Sequence, residues 1–516
     1  MKGLMTIKFL LLSVCTTVLM IIIYSNCDRD ESYEVFYEEE DLLISAYLEE
    51  HSDEFSSLLR VLEITRIKQI LNAYGHYTFF APDNNAFDRF CKDNGRSSVE
   101  DFDIDYLTTL VKYHLLDIDI ETNFLPNGVL PDTNYTGDNL IFSFAEGGLH
   151  NIMVNGEATI TERDIKVENG YINKINGVLT PVFLSVYDKL TEEEQFTLFA
   201  RALEATGLSD TLSQIRIQLR ENKYIKSRFT IFTESDQVFN KAGIHSLNDL
   251  KMKYSDSEDI TSPDNGLYKF IAYHCVPGLF YLNQLDSTNY HTLARNKLIS
   301  VDLKDDIYLN WHTYVDNGQT KDSHIKIIRD DSNNPTKNGV YHSIDKLLEV
   351  YDPDPVFVKI DFTDYQGIDI NNVYTQQDIE YINGLSVENT GLWYRMSILD
   401  EDSSYLETTS RSLGWTVEFD LPPITKGTYK VFVHWVSDQD RCGAVQAFWD
   451  DQILGYEFSM ERKKRPPKRP PEWVYDFRVA HELGVVLLSE TKPHKIKFIA
   501  LKDGLGEFDY LTLRPD

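Results

Sequence analysis

The sequence predicts a multidomain protein: two α+β modules in tandem, followed by an all-β sandwich. Three observations predict it. A set of landmarks occurs twice, in the same order, across residues 41–352. From about Pro355 the pattern becomes short alternating runs broken by turn signals, which read as strands of a sandwich. At 516 residues the chain has room for three or four domains, and 42% apolar residues is the share of ordinary globular protein. A formal net charge of −32 excludes nucleic acid as the main partner, because such a field repels phosphates.

The first element is a targeting segment. Lys2 and Lys8 precede an apolar run, Phe9–Ile23, that is shorter than the ~20 residues a spanning helix needs. It ends in Tyr24-Ser25-Asn26-Cys27, which resembles a bacterial lipoprotein cleavage site, although Asn26 stands where a small residue is usual. The resemblance implies a signal peptide over 1–26, acylation of Cys27 and a lipid anchor. Asp28-Arg29-Asp30-Glu31 resembles the acidic export signal of surface lipoproteins in Bacteroidota, and 27–40 is then a linker. An uncleaved anchor or a plain secretory signal is the alternative; each places the body outside the cytoplasm. Cys15 lies in the apolar run, and Cys91, Cys275 and Cys442 are too scattered for a disulfide framework or a metal motif. They read as small buried apolar residues.

The repeat comes next. Phe55, Leu58, Leu59 and Leu62 form one helical stripe, and Phe196, Phe199, Ala200 and Leu203 form another 141 positions on. Tyr77–Phe87 (YTFFAPDNNAF) lies over Phe229–Phe239 (FTIFTESDQVF), 152 positions apart. Tyr113-His114 lie over Tyr273-His274 at 160, and Asn176-Gly177-Val178 over Asn338-Gly339-Val340 at 162. The β-branched and aromatic Thr78–Phe80 suits a packed strand, which Pro82 ends for want of an N–H. Asp83-Asn84-Asn85 can cap a helix that Ala86 and Phe87 enter. Asn176-Gly177 and Asn338-Gly339 read as hairpin turns. Each Tyr-His pair closes an apolar helix, where the histidine reads as a buried hydrogen-bonder.

These landmarks together resemble the fasciclin domain, whose pattern runs from T-x-F-A-P-T-N-x-A-F through a central Tyr-His pair to N-G-V-x-H-x-I-D. The first copy carries Thr78, Phe80, Ala81, Pro82, Asn84, Ala86 and Phe87, then Tyr113 and His114, then Asn176, Gly177 and Val178 with Thr180 in the histidine position. The second has an eroded first motif, Thr233-Glu234-Ser235, and a nearly complete last one, Asn338–Asp345. The resemblance implies fasciclin-like domains at 41–188 and 189–352, adhesion through the pair, and receptor contact in the region of Tyr113-His114.

The last third, 353–516, alternates in Trp415–Phe419 and in Thr428–Val436, where Tyr429, Val431, Val433 and Trp435 share a face. Ala444–Trp449 leads into the turn Asp450-Asp451-Gln452, and His494–Leu501 and Glu507–Leu513 complete the strands. Gly427, Tyr429, Val431, Val433, Asp450, His494, Ile496, Asp509, Tyr510 and Leu513 carry a resemblance to the galactose-binding-like jelly rolls, many of them carbohydrate-binding modules. It implies a glycan ligand. It also implies a structural calcium shared by Asp361 and Asp509, with a plain surface or core-edge acid as the other reading of each. Sugar binding needs flat aromatic faces; Trp393, Tyr394, Trp449, Trp473 and Tyr475 could supply them or pack, while Trp415 and Trp435 alternate inward. The loop Arg462–Pro471 holds Arg462, Lys463, Lys464, Arg465, Lys468 and Arg469 on a stiff proline frame, either a solvated loop or a prong for an acidic partner.

No catalytic motif is present. His481-Glu482 begins like a zinc-protease helix, but Val485 stands where the second histidine belongs. There is no G-x-S-x-G, P-loop or dinucleotide fingerprint, though spacing alone does not place two carboxylates across a glycosidic bond. The chain therefore reads as a surface-exposed outer-membrane lipoprotein that binds a glycan without cofactor or turnover, beside a nutrient-uptake transporter. Adhesion to a protein through the fasciclin pair and a glycan-active enzyme are the alternatives.

Overall fold

The computed structural model describes residues 42–144, 148–220, 223–365, 368, 372–396, 404–436, 442–460 and 478–516. Cys27, the basic loop Arg462–Arg469, Trp473 and Tyr475 lie outside the described residues. Among the described residues no helix is long and apolar enough to cross a membrane. Two compact units form, one ending at Thr122 and including Ile160–Gly177, the other made of Asn123–Thr159 and Val178–Asp516.

In the first unit the strand Tyr77–Pro82 is wholly buried. It runs parallel to Gly170–Ile175 and antiparallel to Leu115–Leu116. Asp83 follows as the expected cap: its side chain accepts from Ala86 N at 2.6 Å, and the helix Asn84–Asp93 begins. The helix Ser52–Thr65 buries Phe55, Leu58, Val61 and Leu62 against this core. Its path breaks at Phe55 (φ −120°, ψ 19°).

The second unit repeats the plan. Phe229–Glu234 is wholly buried, parallel to Gly339–Ile344 and antiparallel to Cys275–Pro277. Phe196 caps Thr197–Thr206 with φ −115° and ψ 21°, nearly the geometry at Phe55. The motif threonine also does one job twice. Thr78 Oγ1 donates to Ile118 O at 2.8 Å and accepts from Ile120 N at 2.9 Å. Thr230 Oγ1 does the same with Gly278 O and Phe280 N, both at 2.9 Å.

The repeat corrects one expectation. Strand register sets Gly170, not Gly177, in the place of Gly339: Tyr77 lies opposite Gly170 and Phe229 opposite Gly339. The last landmark of the first copy is therefore Asn169–Asn176, 169 positions before Asn338–Asp345. The asparagines confirm it. Asn169 Oδ1 accepts from Ile44 N, and its amide donates to Leu71 O and Ala73 O. Asn338 Oδ1 accepts from Val186 N, and its amide donates to Leu212 O and Gln214 O. Asn173, not Thr180, then occupies the position of His342. Asn338-Gly339 closes a hairpin, as expected: Thr336 pairs with Gly339, and in the first copy Val167 with Gly170, each across a two-residue turn. A Cβ on Gly170, at φ +138°, would stand 1.8 Å from Tyr77 O, and one on Gly339 would stand 2.4 Å from Phe229 O. Glycine is required because the parallel strands approach too closely for a side chain.

The meander Gly128–Thr133, Asn139–Phe144 and Ile152–Val154 belongs to the second unit. Its turn is a docking point. Lys226 Nζ donates to Thr136 O and Gly137 O, both at 2.7 Å, and Arg228 donates to Gly137 O at 3.0 Å. Asp138 accepts Lys337 Nζ at 2.6 Å and Lys226 Nζ at 3.3 Å. Burial lowers the Lys226 pKa, against the pull of Asp138.

Among the described residues the strand pairs of the sandwich are antiparallel, with one isolated parallel bridge, Cys442 to Leu505. One sheet runs Val358–Asp361, Tyr510–Pro515, Gly427–Val436, Arg478–Leu488. A second runs Leu385–Glu388, Thr416–Ile424, Lys492–Ala500, Ala444–Trp449, Gln452–Ser459. A third runs Val373–Tyr374, Leu392–Met396, Ser404–Thr408, Glu507–Phe508. Tyr429, Val431, Val433 and Trp435 are all fully buried, as their alternation requires, and Trp415 joins them in the core. His481-Glu482 sit on a strand, so no zinc-protease helix forms there.

Candidate functional site

Strand geometry separates the aromatics that the sequence grouped. Successive side chains point to opposite faces, so Trp393 and Tyr394 cannot serve one platform. Trp393 is 37% exposed, whereas Tyr394 turns inward, packs on the core and places its hydroxyl 3.4 Å from Ser404 Oγ. Trp449 is no open platform either: it is 7% exposed, because its inward position on Ala444–Trp449 puts the indole in the core.

Trp393 heads a row that crosses three strands. It lies opposite Glu407, and Glu407 lies opposite Glu507. Directly opposed residues of antiparallel strands share a face, and Arg395, two positions on, shares it too. The Arg395 guanidinium stacks 4.1 Å from the Trp393 ring centroid and donates from Nη1 to Glu407 Oε1 at 2.8 Å. The stacking and the charge-assisted bond hold the indole and the carboxylate in fixed relation. Glu407 is buried, and its Oε2 has no hydrogen-bond partner among the described residues. Chemically the row offers a flat apolar face, a cationic donor and a carboxylate acceptor within one patch. The sequence reading missed Arg395, Glu407 and Glu507; the i, i+2 spacing of Trp393 and Arg395 was the available signal.

The remaining expected residues fall elsewhere. Asp361 lies opposite Tyr510, and its Oδ1 accepts from Thr363 N and Oγ1 at 2.9 and 2.7 Å. Asp509 is buried, its backbone bonded to Phe362 and His434. Among the described residues no group of three or more His, Cys, Asp or Glu side chains could hold a metal ion. Tyr113, His114, Tyr273 and His274 are all buried at helix ends, so these side chains present no surface to a partner. His114 Nδ1 donates to Leu110 O at 2.8 Å, and its pKa is lowered to about 4 by burial. His274 repeats that bond to Phe270 O at 2.7 Å. It gains a second bond, Nε2 to Glu234 Oε1 at 2.8 Å, because Glu234 replaces the proline of the first copy.

A model of the fasciclin domain matches residues 53–181 and again 194–350. The chain belongs to the fasciclin family. Human periostin is 25% identical over 275 residues, which are 53% of this chain and 27% of periostin. The transforming growth factor-beta-induced protein ig-h3 of Sus scrofa is 24% identical over 183 residues, 36% of this chain and 25% of that protein. This chain thus spans about a quarter of the length of these animal relatives. Protein sll1483 of Synechocystis sp. is 27% identical over 130 residues, 25% of this chain and 69% of that protein. Among solved structures, a FAS1 domain pair from the insect cell adhesion molecule Fasciclin I is similar at 17% identity and TM-score 0.24, covering 57% of this chain and 97% of that one. A family 35 carbohydrate-binding module from Clostridium thermocellum is similar at 14% identity and TM-score 0.20, covering 28% and 98%.

Proposed function

We propose that this protein is a surface lipoprotein that binds a glycan without altering it, through the sandwich, while the fasciclin modules carry and space that domain. The observation that carries the reading is Trp393, an exposed indole fixed by Arg395 beside the Glu407 carboxylate. Sugars present an apolar C–H face and a rim of hydroxyls, and this patch offers an aromatic plane beside a donor and an acceptor. Cys27 supplies the lipid anchor, the outer membrane is the location, and a nutrient-uptake transporter is the partner. The basic loop Arg462–Arg469 contacts an acidic surface. No step of this reading needs catalysis or a cofactor.

The test is a glycan array on the full chain. Binding without released product, reduced tenfold or more by Trp393→Ala, supports the reading; liberated sugar replaces it with an enzyme. Labelled palmitate incorporated by the wild type and absent from Cys27→Ala supports the anchor, and equal labelling removes it. Membership of the fasciclin family favours a second reading, adhesion to a surface protein through the module pair. A blank array together with saturable binding to a cell-surface protein selects it.

A further inference from the structure

Loops of the second fasciclin module, together with Asn127 and Gly128, line a cavity of about 400 Å³ within the second unit. Among its described lining residues are two cations, Lys304 and Arg329, and one acid, Asp306. Asp306 is already engaged: it takes Arg329 Nε at 2.6 Å and Lys326 Nζ at 2.7 Å. The neighbouring Asp305 accepts the Tyr308 hydroxyl at 3.2 Å. Arg329 keeps Nη1 and Nη2 without a hydrogen-bond partner among the described residues. Lys304 has no ion pair among them either; its Nζ stands 3.2 Å from the ring centroid of Trp311, on which His324 stacks at 4.4 Å. Part of the wall is fixed. Asn283 accepts from Val129 N at 3.2 Å and donates to Val129 O at 3.1 Å, and a Cβ on Gly128, at φ +139°, would stand 2.7 Å from its amide carbon. Asn333 spends its Oδ1 on Leu282 N at 2.8 Å and keeps its Nδ2 free of partners among the described residues.

The first module shows that the fold does not require these parts. Asp164 (φ 57°) accepts from Thr122 N as Asn333 (φ 60°) accepts from Leu282 N, so the two positions correspond. Ile160 pairs with Ile175, and Ile327 with Ile344. Between these fixed points the first module has residues 161–163 and the second has 328–332, long enough for the turn Arg329–Asp331. Likewise residues 155–157 join Val154 to its partner Ala158, whereas 310–324 join Leu309 to Ile325 and bring in Trp311. Both added segments serve this cavity, one by supplying Arg329 and the other by seating Lys304.

We propose that this cavity binds the carboxylate of an acidic sugar, a uronic-acid unit of a glycan. Three cations, Lys304, Lys326 and Arg329, gather around the single carboxylate of Asp306, which leaves the cluster positive. Asp306 holds the guanidinium by Nε, and the two free Nη donors match the two oxygens of a ligand carboxylate. The space exceeds what a bare anion fills and suits a sugar ring, whose C–H face meets Leu282, Leu285 and Leu303 while its hydroxyls meet the amide of Asn333. A run of negative charges is repelled by a chain of net charge −32, so the ligand carries its acid singly among neutral units. The fasciclin pair then binds in its own right as well as spacing the sandwich. The anion site stands on the geometry; the choice of a sugar rests on the glycan reading above.

The experiment titrates the full chain calorimetrically with methyl α-D-galacturonoside, methyl α-D-galactoside, acetate and a glutamate-rich peptide. The uronoside is expected to saturate and the neutral galactoside not to bind. Arg329→Gln is expected to weaken the uronoside at least tenfold, and Lys304→Gln threefold or more. Both side chains are exposed, so the melting temperature is expected to stay at the wild-type value. No saturable heat with the uronoside, or equal affinity in Arg329→Gln, overturns the proposal. If the array is positive while the uronoside fails, this inference falls and the glycan reading stands. If acetate or the peptide binds as tightly as the uronoside, with loss in Arg329→Gln, the sugar assignment falls; a blank array beside that result removes the glycan reading as well.

Discussion

A single hydrogen in place of a side chain decides whether each fasciclin core closes. Gly170→Ala sets a methyl group into Tyr77 O and forces an L residue to φ +138°, and overpacking and backbone strain each cost about 1–3 kcal/mol. The expected loss is about 3 kcal/mol or more by urea denaturation, and Gly339→Ala, which meets Phe229 O without a left-handed φ, is expected to lose about 1–3 kcal/mol. A loss under about 1 kcal/mol in both would mean the parallel strands can part without penalty. The sequence showed both asparagine-glycine pairs of the first copy, Asn169-Gly170 and Asn176-Gly177, and selected the wrong one. Pairing across space separates them, because only Asn169 reaches Leu71 O, Ala73 O and Ile44 N. Trp393 was legible as an aromatic of the last third, but Arg395 and Glu407 were not. Their contact depends on which strands become neighbours, and Glu407 is distant in sequence from Glu507.

At the scale of elements, alternation was the most readable signal. It placed Tyr429, Val431, Val433 and Trp435 inside correctly, and applied one residue at a time it also separates Trp393 from Tyr394. What composition hides is the strut at Thr136–Asp138, where lysines and an arginine from distant segments meet one turn. Lys226 and Lys337 are largely buried there, so removing their counter-charge leaves two cations poorly solvated. Asp138→Asn is expected to destabilise the second unit by about 3 kcal/mol, read as a lower urea midpoint. A midpoint equal to wild type would show that the backbone carbonyls of Thr136 and Gly137 suffice to hold the cations.

For the whole molecule, acid is the sensitive direction. His114, His342 and His434 are each depressed from 6.5 to about 4, burial being the first cause. His342 shows why: Nε2 donates to Phe280 O and Nδ1 accepts from Asn333 N, so only the neutral ring satisfies both bonds. The unfolded chain binds these protons below about pH 6.5 and the folded chain does not. Stability is therefore full above that pH and falls between pH 6.5 and 4, on the order of 3 kcal/mol for each fully buried ring. Urea midpoints at pH 7.5 and 5 check this, and an unchanged midpoint in the more acid buffer would contradict it. One feature of the sandwich also governs its making. Tyr510–Pro515 lies between Val358–Asp361 and Gly427–Val436, bonded to both. A ribosome that has delivered everything through Phe508 has still made no bridge between those two strands. They wait as open edges until Tyr510–Pro515 arrives to pair with both.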